Sequence, residues 1–450
     1  MRCVVVGLAE TGLAVTRALR AGGDEVVVIE DAPAATDQYA ARAAAVRDAG
    51  AELIEAPDTA RTCALVAGAD LVVPSPLVRP GHPAIVAARD VGVAVRSEID
   101  VAGARAPVPM VAVTGTNGKT TVTTMTVAML EASGVHAIAA GNIGRPLIDA
   151  VGDRASVIVA EVSSFQLAFT PTFRPSVAVV LAVTPDHLDW HGSFEHYVAA
   201  KARIVEHQRA GDLVIFDADD PCATSIAAQG SARRVGVSRR ADAHDCFRVE
   251  GTKLVYPDGR ELAPLDIMPR TLLHDRTNAL AASAAALEVG ATLAGVRSAL
   301  ATYTTMPHRV ALVGEAYGVR WYDDSKATNP DATLSAVGSF DSVVLLAGGR
   351  NKDLDLSVLT SVAARLRGVV AFGEAGAEVA AAFAGTTTPV VRVASMREAV
   401  RAARGLARPG DAVVLSPACA SFDAYPGYAA RGEDFAAEVR AQTTQEQTPR

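Results

Sequence analysis

The sequence predicts an α/β protein of three domains, each layered around a mainly parallel sheet. The N-terminal and C-terminal domains read as Rossmann-like and the central one as P-loop-type. Three observations carry this. A chain of 450 residues corresponds to about three domains of ordinary size. Short β-branched apolar runs alternate with helix-length segments along the whole chain, as parallel sheets covered by helices require. One such run, residues 110–113, passes through Thr114-Gly-Thr-Asn-Gly-Lys-Thr-Thr121 into residues 122–130, which contain no Gly or Pro.

The first block, residues 1–106, opens with a strand at 3–6, the turn Gly7-Leu-Ala-Glu-Thr-Gly12, a helix and a second strand at 26–30. Gly7 and Gly12 bracket a turn like the dinucleotide fingerprint, and Glu30 follows about twenty residues on. The middle glycine is replaced by Ala9, so the turn suits NAD, another nucleotide, or no ligand at all. Glu30 and Asp31 either accept hydrogen bonds from a ribose or base or form a solvated strand end. Residues 70–76 predict a strand ending in a loop, and residues 105–109 a linker.

The second block, residues 107–308, carries most of the chemistry. Strand, glycine turn and helix present backbone N–H groups and a helix N-terminus to an anion, with Lys119 as a mobile positive charge. The standard P-loop would have a glycine where Val113 stands, so this is a variant form. Gly115, Thr116, Asn117, Gly118, Lys119, Thr120 and Thr121 read as a triphosphate cradle, with the Thr120 hydroxyl able to reach a magnesium ion held by the same phosphates. Glu161 ends a strand at 157–161, where parallel sheets place ligands; alone it reads as a helix-capping carboxylate. His187, in Asp186-His-Leu-Asp189, follows a strand at 177–183 and alone reads as a surface residue. Asn142, between Gly141 and Gly144, suits a polar contact or an ordinary turn. Lys201 reads as a solvated helix lysine. Strands are further expected at 213–218, and the Ala-rich residues 279–301 predict one amphipathic helix, interrupted by charges and so no membrane span.

The third block, residues 309–450, predicts strands at 319–323, 343–347, 369–372 and 412–415, then a frayed polar tail at 442–450. A net charge of −8 without a basic tract gives no case for nucleic acid. The five cysteines, Cys3, Cys63, Cys222, Cys246 and Cys419, form no CxxC pair, which argues against disulfides and structural zinc and fits a reducing cytoplasm. Residues 1–7 are too short an apolar run for a signal peptide.

The variant loop TGTNGKTT resembles that of the Mur ligase and folylpolyglutamate synthase superfamily. Further pieces resemble the Mur ligase family in motif order along essentially the whole chain: EVSSFQL at 161–167, DHLD at 186–189, HDRTNALAA at 274–282, MPHR at 306–309, DDSKATNP at 323–330, LSPACASFD at 415–423 and RGEDF at 431–435. The DNPR motif of the diaminopimelate- and lysine-adding members and the DDYAHHP motif of the alanine-adding members are both missing, which points to the glutamate-adding members. The resemblance implies a cytoplasmic, monomeric ligase. ATP would phosphorylate the carboxylate of UDP-N-acetylmuramoyl-L-alanine, and the amine of glutamate, D-glutamate in particular, would attack the acyl phosphate.

The roles the resemblance implies follow the motifs. Thr120 and Glu161 would hold one magnesium ion, and His187 a second with Lys201, carbamylated by carbon dioxide. Asn278 would meet adenine and Asp324 ribose. Asn142, Ser163, His308, Lys326, Thr328, Lys352, Ser421 and Tyr428 would surround the substrates. Lys326 and Ser421, read alone, are a solvated lysine and a turn residue. The chain departs from the family pattern at Ala9, Glu10, Leu13, Leu77 and Tyr428. Two readings outside this class are a non-catalytic nucleotide-sugar binder and a dehydrogenase built on the first glycine turn; the latter leaves the lysine loop unexplained.

Overall fold

The strands Arg2–Val6, Glu25–Glu30, Glu52–Glu55, Leu71–Pro74 and Ala94–Val95 pair in parallel in the spatial order third, second, first, fourth, fifth. The order reverses beside Arg2–Val6, which opens a crevice at the carboxyl ends of the first and fourth strands. Cys3–Val6 and Val26–Ile29 are apolar and buried without alternation, because helices cover both faces of the sheet. The computed structural model describes residues 1–444. Of the polar tail expected at 442–450, residues 442–444 belong to the helix Tyr428–Thr444, and residues 445–450 lie outside the described residues.

A nine-stranded sheet follows, over Met110–Pro264. Its parallel part places Met110–Thr114 between Val157–Glu161 and Val177–Val180, in a register that sets Val113 beside Glu161 and Thr114 beside Val180. The carboxyl ends of these three strands therefore open onto one edge. At the far side Cys246–Glu250, Lys253–Val255 and Glu261–Pro264 run antiparallel, an extension the strand reading omitted. Its turn signals were present: Glu250 pairs with Lys253 around the two-residue loop Gly251-Thr252, with Gly251 at φ +58°.

The single amphipathic helix expected at 279–301 is two helices, Leu273–Glu288 and Leu293–Thr302. The chain breaks at Gly290, whose φ of +107° no helix accommodates, and the Thr292 hydroxyl accepts the Gly295 N–H at 3.1 Å to start the second helix. Residues 277–286 are buried on every side, so this helix is a core helix rather than an amphipathic one.

The third sheet runs Ala311–Ala316, Val319–Asp323, Ala412–Ala418, Val343–Gly348, Leu366–Phe372, Val390–Arg392, all parallel except the first strand. Separate apolar clusters lie on its two faces, one around Val343, Leu345, Val414 and Phe383, the other around Trp321, Leu346, Val413 and Phe435.

The chain divides into two compact units. One holds Met1–Val183, Glu195–Met268 and Thr277–Thr302, and so the first two sheets; the other holds Thr184–Phe194, Pro269–Arg276 and the chain from Tyr303 onward. No helix among the described residues is long and apolar enough to cross a membrane, and all five cysteines are free thiols.

Candidate active site

In the first unit, the turn after Met110–Thr114 has the shape the sequence predicts. Gly115 sits at φ +147°, and a Cβ there would come within 2.7 Å of Leu181 Cβ. Gly118, at φ +83°, precedes the helix Lys119–Glu131, and a Cβ there would meet Asn278 Oδ1 at 2.7 Å. No side chain caps this helix, so its N-terminus is presented to the turn. Lys119 Nζ folds back to donate to Gly115 O and Thr116 O, each at 2.9 Å. Thr116 donates its N–H to Ala182 O and its hydroxyl contacts Tyr197 Oη at 3.0 Å. Thr120 is half-buried and Thr121 buried.

Glu161 is the last residue of its strand and only 3% exposed. Asn142 Nδ2 donates to its Oε1 at 2.7 Å, while Oε2 is buried with no hydrogen-bond partner in the protein. A buried carboxylate oxygen left open, on the strand beside the one that leads into the glycine turn, suits a divalent cation. Magnesium is commonly held by one or two carboxylates plus substrate phosphates and water, so no larger cage is needed. Among the described residues no three His, Cys, Asp or Glu side chains form one. Ser163 caps the short helix after Glu161, in a capping box with Gln166.

Lys201 departs most from its plain sequence reading. On the helix Phe194–Glu206 it is 1% exposed, not solvated, with Nζ donating to Gly115 O at 2.8 Å and lying 3.4 Å from Thr114 Oγ1. Lys119 and Lys201 thus converge on the same carbonyl of the glycine turn.

The first crevice is tighter than its sequence suggested. A Cβ at Gly7 would meet Ser75 Oγ at 2.8 Å, and one at Gly12 would meet Gly7 O at 1.9 Å. Glu30 accepts the Leu8 N–H at 2.7 Å and the Ala32 N–H at 3.1 Å, so it shapes the loop rather than standing as a solvated strand end. Asp31 pairs with His82 Nε2 at 2.7 Å. Glu10 and Leu77 are exposed.

In the second unit, Asp186 is buried between Lys352 Nζ at 2.5 Å and Asn329 Nδ2 at 3.1 Å. Burial pushes its carboxyl up, but the charges of Lys352 and His187 and the two hydrogen bonds outweigh burial and hold it below the usual range. His187 is half-buried, with φ +53°, and its N–H donates to Asp186 Oδ1 at 2.9 Å. His308 Nδ1 meets Asp323 Oδ2 at 2.6 Å, its ring lies edge-on to Tyr428, and Lys326 Nζ stands 3.8 Å above the Tyr428 ring. Ser421 is buried and Thr328 half-buried.

The comparisons with known proteins bear on this arrangement. Residues 113–286 match the Mur ligase middle domain, and residues 308–419 match the Mur ligase glutamate ligase domain. Over 448 residues the chain is 38% identical to the UDP-N-acetylmuramoylalanine–D-glutamate ligase of Geobacter metallireducens, covering 98% of each chain. With the protein of the same name from Thermobifida fusca it is 41% identical over 466 residues, again covering 98% of each. The chain belongs to the Mur ligase family. Solved structures of MurF from Acinetobacter baumannii (TM-score 0.61, 17% identity, 97% of this chain and 93% of that one) share the fold. So does MurC from Thermotoga maritima (TM-score 0.58, 19% identity, 98% of this chain and 100% of that one).

Two residues of this Mur ligase were not assigned a role from sequence. Asp186, in the DHLD motif, is the counter-charge of Lys352, and its place beside His187 at a strand end was the available signal. Arg431 opens the RGEDF motif and is fully buried, donating to Ser325 Oγ and O, Cys419 O and Ala420 O.

Asp324 accepts from Ser416 Oγ at 2.7 Å and from Val310 N at 3.2 Å, one bond on each oxygen. Burial pushes its carboxyl up to about 7, against the opposing pull of Ser416, Arg309 and Val310. The folded state therefore holds this proton more tightly than the unfolded chain, and that stability is lost as pH rises from 3.8 through about 7. Asp324→Asn is expected to flatten the stability profile over this window. The advantage of the native chain over the variant should shrink by on the order of a few kcal/mol between pH 4 and 7. Urea unfolding across that range measures it, and parallel profiles would refute it.

Proposed function

We propose that this Mur ligase is an ATP-dependent enzyme that joins D-glutamate to UDP-N-acetylmuramoyl-L-alanine in peptidoglycan precursor synthesis. The observation that carries the reading is Glu161. Its strand ends beside a lysine-bearing triphosphate loop, with one buried oxygen open, in a chain matched nearly end to end by ligases of that name. We read three domains, at residues 1–106, 107–308 and 309–450, binding the nucleotide sugar, ATP and glutamate respectively. The enzyme is read as cytoplasmic and monomeric.

A carboxylate is a poor electrophile, so one of its oxygens must first become a phosphate leaving group. In the first unit, the turn 115–118 and the open helix N-terminus bind the phosphates of ATP, and Lys119 neutralises charge on the transferring phosphoryl group. Asn278, against Gly118, fixes the nucleotide side of this loop. Thr120 and Glu161 would hold a magnesium ion, and Lys201, as a carbamate formed with carbon dioxide, would serve a second. The metal, when bound, would offset the charge that builds as two anions approach. In the second unit, His187 is a candidate metal ligand. Lys326, Thr328, Lys352, Ser421 and Tyr428 receive glutamate, with Lys352 transferring its charge from Asp186 to a substrate carboxylate. The amine then displaces phosphate from the acyl phosphate, giving the amide.

The test is phosphate release with ATP, magnesium and UDP-N-acetylmuramoyl-L-alanine, comparing D- with L-glutamate and weighing the product by mass spectrometry. Release requiring D-glutamate, with the matching product, supports the reading; turnover with neither enantiomer overturns it.

Lys201 gives a sharper check. Lys201→Met removes a buried cation whose main acceptor, Gly115 O, keeps its Lys119 donor, so stability should change little. Turnover should nonetheless fall at least about a hundredfold, the scale of losing one charged group in a phosphoryl-transfer site. Labelled bicarbonate should give a carbamate carbon resonance in the native protein that the variant lacks. A variant that turns over normally would remove Lys201 from the mechanism.

A further inference from the structure

The four residues Ser97, Glu98, Ile99 and Asp100 join the first sheet to the sheet of the nucleotide loop, and none is more than 3% exposed. Two carboxylates in so buried a segment need specific partners. Ser97 N donates to Phe169 O at 2.7 Å, and Asp100 Oδ1 accepts the Thr172 N–H at 2.9 Å with Arg96 as its counter-charge. Both contacts pin the chain just beyond the EVSSFQL segment. Glu98 reaches the other neighbouring loop: its Oε1 accepts the Ile148 N–H at 2.6 Å.

Residues 147–148 begin the short helix that follows the loop carrying Asn142. That loop is a closed turn, with Gly141 N bonded to Arg145 O at 2.9 Å and Asn142 N to Glu161 O at 2.8 Å. A displacement at Ile148 is therefore carried along the turn to Asn142, whose amide fixes Glu161 Oε1. The hydrogen bond that orients Glu161 is thus anchored, through one loop, on Glu98.

We propose that Glu98 is a positioning residue for the magnesium–ATP site, holding the Asn142 loop so that Glu161 keeps Oε2 turned open. The inference rests on the reading of Glu161 as a magnesium ligand. The Ile148 contact is made by Oε1 alone, while the Leu147 N–H and the Gln166 side chain also lie near enough to favour the charged carboxylate against burial. A glutamine supplies such an acceptor oxygen at the same reach. Alanine supplies none, and aspartate falls one methylene short.

Three variants, Glu98→Gln, Glu98→Ala and Glu98→Asp, test this. Two readouts are used: the magnesium concentration for half-maximal phosphate release, and binding of manganese with a non-hydrolysable ATP analogue, followed by electron paramagnetic resonance. Glu98→Ala and Glu98→Asp should weaken both by about tenfold, the usual scale for losing a group that orients a metal ligand. The KM for glutamate should not move, and Glu98→Gln should stay within about twofold of the native protein. If Glu98→Ala does not fold, Glu98→Asp decides. Native manganese affinity in the folded variants, an equal rise in the KM for glutamate, or a glutamine variant as impaired as alanine would overturn the inference. A native protein that binds no manganese with the analogue would instead overturn the reading of Glu161.

Discussion

Lys119→Ala is expected to reduce kcat/KM for phosphate release at least about a thousandfold, roughly 4 kcal/mol of transition-state stabilisation. The charge that develops on a transferring phosphoryl group needs a cation that moves with it. Lys119 is placed for this, at the first turn of an uncapped helix with its ammonium over the glycine turn. In the structure that ammonium bonds to Gly115 O and Thr116 O, which also holds the loop in shape. Gly115 O keeps the Lys201 donor when the half-buried lysine is removed and only Thr116 O loses one, so stability should change by no more than about 1–2 kcal/mol. Denaturant unfolding and phosphate release on the same preparation separate the two effects. More than a tenth of native turnover, or a matching collapse in stability, would rule out the role assigned to Lys119.

The candidate site was legible where local structure and residue type carried it together. The glycine turn at 114–121 declared itself because Gly115 and Gly118 are positions where a side chain would collide, and Lys119 follows as the first residue of the helix. Glu161 was visible as a strand-end carboxylate, but its open oxygen was not, since that depends on Asn142 occupying the other one. Lys201 was illegible without a family resemblance. Its helix has ordinary composition, and only the packing of Phe194–Glu206 under the glycine turn buries its ammonium. The same limit explains the split helix at Gly290. Ala-rich periodicity runs straight through the glycine, and a cap made by Thr292 decides where the second helix starts. Asp186 and Arg431 were missed as contributors because each acts on a residue distant in sequence, Lys352 for one and Ser325 for the other.

Arg431→Met is expected to destabilise the second unit by about 3–5 kcal/mol, the scale of leaving several buried acceptors unsatisfied, and to raise the KM for glutamate more than it changes the KM for ATP. Arg431 lies near the start of the helix Tyr428–Thr444, where the helix dipole disfavours a cation, and burial lowers its pKa to about 10. It remains charged at neutral pH, and the carbonyls around it make that tolerable. Its Nε and one terminal nitrogen donate to Ser325 Oγ and O at 2.9 Å, and the other terminal nitrogen to Cys419 O at 3.1 Å and Ala420 O at 3.2 Å. A Cβ at Gly349 would come within 2.9 Å of that nitrogen, so a third loop is packed against it. These loops lead directly to Lys326, Ser421 and Lys352. One guanidinium thus sets the spacing of the groups read as receiving glutamate, and methionine fills its volume while leaving four acceptors without their donor. Arg431→Lys should recover little, because a single ammonium cannot span both loops in the planar geometry seen here. Urea unfolding and steady-state kinetics on both variants check this. Native stability in Arg431→Met, or a lysine variant that restores the KM for glutamate, would show that the arginine fills space rather than sets the loops.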